Sequence, residues 1–269
     1  DVYLMSYQIS LLVIVTCCVL HTFNSSLQPH EEFILENPIL ITGASQRLGL
    51  AMAESLLDNH FDVIVTYRTH RPALSMLVEK GAAIVKADFS TEAAIDRAID
   101  EIKAISKTYR AVIHNASDWA QEKSSDNKHD LIQRMMMVHA IAPYRINLAL
   151  EDKLFNPNGK ADIIHMTDYV QETGSEKHMA YAASKAALNN LTLSFAKKYA
   201  PNVKVNSIAP ALLMFNEGDD DTYKQKALKK SLLETIPGAQ EAVKAMLYLL
   251  NSEYVTGQTL HLNGGRHLK

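Results

Sequence analysis

Two rhythms of apolar and polar positions run along this chain. Short continuous apolar runs (PILIT, VIV, AVI and DIIHM) recur through it, as expected of strands covered on both faces. The candidate strands are Pro38–Thr42, Phe61–Tyr67, Ala82–Ala87, Ala111–Asn115, Asp162–Thr167, Lys204–Ile208 and Thr259–Leu262. Between them lie segments of helical periodicity: Leu48–Asp58, Thr91–Ser106, Leu131–Leu150, Met179–Tyr199 and Gln240–Leu250. Strands alternating with helices predict an α/β fold, one doubly wound parallel sheet of about seven strands with helices on both faces. The polar stretch Asn216–Lys230 interrupts the alternation and reads as a mobile lid or a solvated helix. No internal repeat or low-complexity linker is present.

Composition narrows the class. A chain of 269 residues suits one large domain better than two small ones, and such a core buries roughly three quarters of the unfolded surface. The net charge of −3 comes entirely from residues 1–35, which hold Asp1, Glu31 and Glu32 and no Lys or Arg, so the remainder carries 27 charges of each sign. A neutral domain offers no electrostatic case for nucleic acid or an anionic membrane. The two cysteines are the neighbours Cys17 and Cys18. A disulfide framework is therefore excluded and a reducing compartment permitted, and a cytoplasmic location is expected.

Ile9–Leu20 is almost wholly apolar, yet shorter than the about 20 residues of a comfortable membrane span. The basic residues expected ahead of a signal-peptide core are missing. An appended segment, a signal or anchor, and an extra packed element are the three readings, and the first is favoured. Residues 1–35 are expected to lie outside the fold, with the domain at 36–269 beginning cleanly at Pro38.

Thr42–Gly49 (TGASQRLG) follows the first strand and opens a helix. Gly43 permits a tight turn and Gly49 a close helix–strand contact, and the helix N-terminus offers free N–H groups to a pyrophosphate. A Rossmann-type dinucleotide site is expected. An NAD site places an acid at the end of the second strand to hold the ribose 2′-OH. Here that strand ends TYRTHR, with Arg68, His70 and Arg71 and no acid. Cations suit a 2′-phosphate, so NADPH is the expected cofactor, and Arg47 can add to the same pocket. Asp88, ending the third strand, is placed for the adenine amine; alone it would be a helix N-cap candidate. No metal is expected.

Tyr181 and Lys185 stand four apart in a helical segment and share one face. A cation beside a phenol favours the phenolate and makes the phenol a better proton donor. With the glycine loop upstream, YxxxK becomes a specific signal.

In order and spacing, the glycine loop, Asp88, His114–Ser117 (HNAS), Tyr181/Lys185, Val205–Pro210 (VNSIAP) and Val255–Gly265 resemble the short-chain dehydrogenase/reductases over about residues 37–269. The resemblance implies cofactor contacts from Leu48, Phe89, Asn115, Ala116 and Pro210, and a homotetramer or homodimer built on long central helices. Met135–Met137 and Leu191–Phe195 supply apolar contacts there unless they are core.

Departures from the common family pattern carry the substrate information. Arg47 replaces the middle glycine, Ser117 ends the HNAS block, His139 stands where Asn is usual, and Asp168 replaces the serine that assists the tyrosine. Arg47, Ser117 and Asp168 together resemble the pteridine-reductase branch. The blocks YRTH, ADFST, HNAS.W, TDYV, YAASKAAL, VKVNSIAP, FNE.DD and GGRHL are similar to its bacterial dihydromonapterin reductases. The resemblance implies a dihydropterin substrate seated by Ser117 and Trp119, reduced at its C6=N5 bond, with Asp168, Tyr181 and Lys185 catalytic and weak dihydrofolate reduction.

The residues agree. A flat heterocycle wants an aromatic partner, and Trp119, the one tryptophan in the chain, sits four residues after Asn115. A carboxylate beside a developing alkoxide would raise the barrier of carbonyl reduction, whereas a reduced imine nitrogen needs a proton. The rivals are a 3-oxoacyl or other carbonyl reductase and a catalytically silent NADPH-binding regulatory protein. His139 keeps the second alive, because the usual Asn supports a proton-relay water, although His can also bind one.

Overall fold

A computed structural model describes residues 35–124, 128–155 and 159–269. The expected extension, residues 1–34 of it, lies outside them. Leu35, the remaining residue of that segment, is buried. Its N–H donates to the Ile105 carbonyl at 3.1 Å, and its own carbonyl accepts from Ser106 Oγ at 2.7 Å.

Seven parallel strands form the sheet in the order β3-β2-β1-β4-β5-β6-β7. They are β1 (Ile39–Ile41), β2 (Val63–Tyr67), β3 (Ala83–Lys86), β4 (Ala111–His114), β5 (Ala161–Met166), β6 (Val203–Pro210) and β7 (Thr259–Leu262). The doubly wound parallel sheet anticipated from the run pattern is the fold. The helices are α1 (Arg47–Asp58), α2 (Ala73–Glu79), α3 (Glu92–Ile105), α4 (Lys128–Met136), α5 (Ala142–Ala149), α6 (Glu151–Leu154), α7 (Val170–Thr173), α8 (Met179–Tyr199), α9 (Asp221–Leu228) and α10 (Gln240–Asn251).

Strand alternation builds two cores. Ile39 and Ile41 of β1 pack with Met52 and Leu56 of α1, Leu74 and Leu77 of α2, and Met246 and Leu249 of α10. Leu40, between them, points the other way, into a cluster with Ile99 and Ile102 of α3, Ile146 of α5, and Phe195 and Tyr199 of α8. Successive side chains of a strand leave on opposite faces, so one apolar run serves both layers.

One helical expectation changes, and one of two open readings is met. Leu131–Leu150 is not one helix: a π-helical turn, Met137–Ile141, separates α4 from α5. Asn216–Lys230 contains a helix, α9, capped by Asp220, whose carboxylate accepts the Tyr223 N–H at 2.7 Å. Among the described residues no helix is long and apolar enough to cross a membrane.

The strand order reverses between β1 and β4. At such a switch point the loops leaving the carboxyl ends of neighbouring strands diverge and open a crevice.

Candidate active site

The loop after β1 is held close to the end of β4 by two side chains, Thr42 and Asn115. Thr42 Oγ1 accepts the N–H groups of Asn115 and Ala116, each at 3.0 Å, and Asn115 Nδ2 donates to the carbonyls of Thr42 (3.1 Å) and Gly43 (2.8 Å). A Cβ on Gly43 would stand 2.7 Å from Ala116 Cα, and one on Gly49 2.4 Å from Asn115 Nδ2. Gly43 also has φ +68°, a left-handed conformation that side chains disfavour. Both glycines are thus required by chain-to-chain approach. No side chain caps the N-terminus of α1, so its first N–H groups are available to an anion.

Two adjoining parts of one crevice open from this loop. The first, about 130 Å³, is lined by Gly43, Arg68, Arg71, Asp88, Phe89, Ala116 and Ser117, among others. The second, about 260 Å³, is lined by Arg47, Leu48, Asn115, Ser117, Met166, Asp168, Tyr181, Lys185 and Pro210, among others. Ser117 belongs to both. An elongated groove with uncapped helix N–H groups, two arginines at one end and a phenol–amine pair at the other fits an NADP-type dinucleotide.

The chemistry sits in the second part. Tyr181 and Lys185 stand on α8, one turn apart, and Asp168 follows β5. Tyr181 Oη donates to Asp168 Oδ2 at 2.9 Å, while Asp168 Oδ1 accepts the Val170 N–H at 2.9 Å. Asp168 is thus both a turn cap and the partner of the phenol. Lys185 Nζ donates to the Met166 carbonyl at 2.8 Å and lies 5.6 Å from the centre of the Tyr181 ring.

Burial holds the phenol well above its ordinary pKa, and the Asp168 charge pushes the same way; the Ser117 hydroxyl opposes them. The expectation that Lys185 makes the phenol more acidic is therefore corrected. Burial is the largest influence, and the Asp168 carboxylate, absent from the local YxxxK reading, acts in the same direction. Burial lowers Lys185 to about 8, with Asp168 opposing.

Three further placements differ from expectation. Arg47 leaves the phosphate end: its guanidinium donates to Asn216 Oδ1 at 2.6 Å and to the Met214 carbonyl at 3.4 Å, pinning the loop after β6. His70 turns edge-on to Tyr67, with ring centres 6.0 Å apart, and Arg71 lines the crevice instead. Trp119 is 58% exposed and is not among the residues lining the crevice. Its ring lies 4.5 Å from that of His178, the residue before α8. Asp88 lines the crevice with its carboxylate accepting the Ser90 N–H at 3.0 Å, while Thr91 caps α3.

His139 is 1% exposed, and protein groups take both ring nitrogens. Nε2 meets Ser117 Oγ at 2.9 Å and the Asp118 N–H at 3.1 Å, and Nδ1 meets Ser184 Oγ at 2.8 Å. Asp118, unremarked in the sequence, pairs with Arg134 at 2.9 Å and with Arg68 at 3.9 Å. Its position between Ser117 and Trp119 was the available signal.

These features define a short-chain dehydrogenase/reductase, and the chain belongs to that family: the family model described as enoyl-(acyl carrier protein) reductase matches residues 43–267. A dihydromonapterin reductase of Escherichia coli O6:K15:H31 (strain 536 / UPEC) is 52% identical over 234 residues, 86% of this chain and 97% of that one. The dihydromonapterin reductase of Shigella flexneri is 51% identical over the same shares of each chain. Among solved structures, FolM alternative dihydrofolate reductase 1 from Brucella suis in complex with NADP matches with a TM-score of 0.74 and 25% identity, over 87% of this chain and 96% of that one. An acetoin dehydrogenase from Enterobacter cloacae matches at 0.77 and 22% over the same shares, a likeness of fold alone.

Proposed function

We propose that this protein is an NADPH-dependent reductase of 7,8-dihydromonapterin, forming tetrahydromonapterin, with weak activity on dihydrofolate, which carries the same ring. The observation that carries the reading is the Tyr181–Asp168 hydrogen bond beside Lys185, at the carboxyl ends of β4, β5 and β6. The 52% identity to a dihydromonapterin reductase supports the side-chain assignment on the pterin.

NADPH would lie along the crevice, its pyrophosphate against the first turn of α1 (Gly43, Leu48, Gly49), its 2′-phosphate toward Arg68 and Arg71, and its adenine toward Asp88 and Phe89. Asn115, Ala116 and Pro210 border the path toward Lys185. When bound, it supplies a hydride, which is added at C6 of the substrate. Lys185, with one N–H given to Met166, keeps others for ribose hydroxyls. Ser117 seats the pterin from the crevice wall, and Trp119, now against the His178 ring outside the crevice lining, turns inward to stack on it. Arg47 contributes by holding the Met214–Asn216 loop over the second part of the crevice.

N5 gains a proton as C6 gains hydride. Tyr181 holds a proton on Oη through the neutral range, because burial and Asp168 both oppose its loss. It delivers that proton to N5, directly or through Asp168 or a water, and is reprotonated from solvent. A carboxylate in this place suits a nitrogen becoming basic and opposes a carbonyl oxygen becoming an alkoxide. This separates the reading from acyl-chain reduction.

Tyr144, Leu148 and Leu193 leave apolar surface exposed on α5 and α8, which supports a homodimer or homotetramer through those helices. A cytoplasmic location fits an NADPH-dependent reductase whose two cysteines are the neighbours Cys17 and Cys18.

Steady-state assays with NADPH and 7,8-dihydromonapterin, dihydrobiopterin, dihydrofolate and a 3-oxoacyl substrate test the reading. The expected order of kcat/KM places dihydromonapterin first and the oxoacyl compound last. Preference for the oxoacyl substrate overturns it, and no NADPH oxidation with any of them leaves a silent binding protein.

A further inference from the structure

We propose that His139 is a positioning residue that fixes the Ser117 hydroxyl as a hydrogen-bond acceptor toward the catalytic crevice, so that the site takes an N–H group of the bound heterocycle there. The proposal rests on the functional reading above and concerns how that same site selects its substrate.

The argument is one of donors and acceptors. A backbone N–H can only donate, so the Asp118 N–H, 3.1 Å from His139 Nε2, requires an unprotonated Nε2. An imidazolium would set two donors against each other, so the ring is neutral and its proton sits on Nδ1. That proton goes to Ser184 Oγ at 2.8 Å, and Ser184 is free to accept because its own hydroxyl donates to the Tyr181 carbonyl at 2.7 Å. At 2.9 Å from a nitrogen that bears no proton, Ser117 donates its own, sharing the one Nε2 lone pair with the Asp118 N–H in a bifurcated bond. Its other acceptors are the Asp118 carbonyl, farther at 3.4 Å, and the Tyr181 oxygen, whose phenol the hydroxyl also influences; the contact to His139 is the shorter of its two hydrogen bonds. What Ser117 then shows the crevice, both parts of which it lines, is lone pairs.

The fold holds this arrangement firmly. His139 lies in the π-helical turn Met137–Ile141, where the extra residue widens the helix. Its ring also meets the Tyr181 ring edge-on, with centres 5.4 Å apart. Burial and the nearby Lys185 charge both disfavour protonation. A dihydropterin carries ring and amino N–H groups for such an acceptor. A simple ketone or acyl thioester has none at the reacting end.

Two measurements decide the matter. Long-range ¹H–¹⁵N spectra, with His139 assigned by loss of its signals in H139Q, are expected to show a protonated Nδ1 and a bare Nε2; a protonated Nε2 overturns the proposal whatever the substrate. In kinetics, H139N retains an amide only near the Nδ1 position and is expected to raise KM for dihydromonapterin about tenfold, with a smaller change in kcat. H139Q places an amide oxygen near the Nε2 position and is expected to return KM to within about threefold of wild type. S117A should match H139N, and S117A/H139N should be no worse than S117A, because groups acting through one contact are not additive. Equal losses in H139N and H139Q, or losses that multiply in the double variant, overturn it. Should H139N not fold, the tautomer and the comparison of H139Q with S117A still decide. An inactive wild type would sink the functional reading instead, and the spectra would judge this one alone.

Discussion

Tyr181 shows how little of a residue's chemistry lies in its immediate neighbours. Four residues along the helix, Lys185 points to an acidified phenol. In the fold the lysine bonds Met166, and the phenol faces a carboxylate from another element. The group is therefore a well-protonated donor at neutral pH. Replacing it tests that role: Tyr181→Phe is expected to lower kcat by about 10²–10⁴-fold, while NADPH binding, followed by fluorescence titration, stays within a few-fold. Turnover near wild type would remove Tyr181 from the chemistry. The motif residues were legible because their spacing is local. The partner of Arg47, 169 positions away, was not, since no short-range pattern records which loop folds back over a side chain.

Elements add a layer invisible to motif reading. At the ends of β4 and β5, His114 and His165 stand opposite each other in register and are joined through Asn147. His114 Nε2 meets Asn147 Oδ1 at 2.7 Å, Asn147 Nδ2 meets His165 Nε2 at 3.3 Å, and His165 Nδ1 meets Thr192 Oγ1 at 2.8 Å. Burial lowers His114 to about 4, against a weaker opposing effect of Asn147, and holds His165 well below its usual value. A folded pKa below the unfolded one favours the neutral ring in the fold. The stability it contributes is complete above the unfolded value near 6.5 and is lost as pH falls through the window down to about 4. Urea unfolding at pH 8, 6.5, 5 and 4 should therefore show a steady state above neutrality, then a fall of about 3 kcal/mol from His114 across the acid window. His114→Gln should make that fall shallower. A flat profile in the wild type would refute the linkage. The π turn beside this network was likewise unreadable, because α4, the turn and α5 share one apolar rhythm.

For the whole molecule, the sheet brings together loops that lie far apart in sequence. Asn115 to Ser117, Met166 to Asp168 and Pro210 follow or end β4, β5 and β6, neighbours in the strand order. The same scale sets the limit of a safe truncation. Leu35 is buried and bonded to Ile105 and Ser106, so a chain starting at Leu35 should keep its melting temperature and its NADPH-dependent turnover. A further cut through Glu36 should lower the melting temperature, since a buried leucine and two hydrogen bonds are lost, about 3 kcal/mol or more. Failure of the first truncation to fold would mean that residues 1–34 contribute to the domain.

By itself the sequence determined the strand and helix rhythm, the doubly wound class, the glycine turn and the YxxxK pair. Each is written in residues within a few positions of one another, where backbone sterics and helical or pleated periodicity act directly. Only the tertiary structure decided the directions of Arg47, His70 and Trp119, the upward shift of the Tyr181 phenol and the buried, protein-bonded seat of His139. Burial and long-range partners control those outcomes, and both exist only once the loops at the carboxyl ends of β4, β5 and β6 share one crevice.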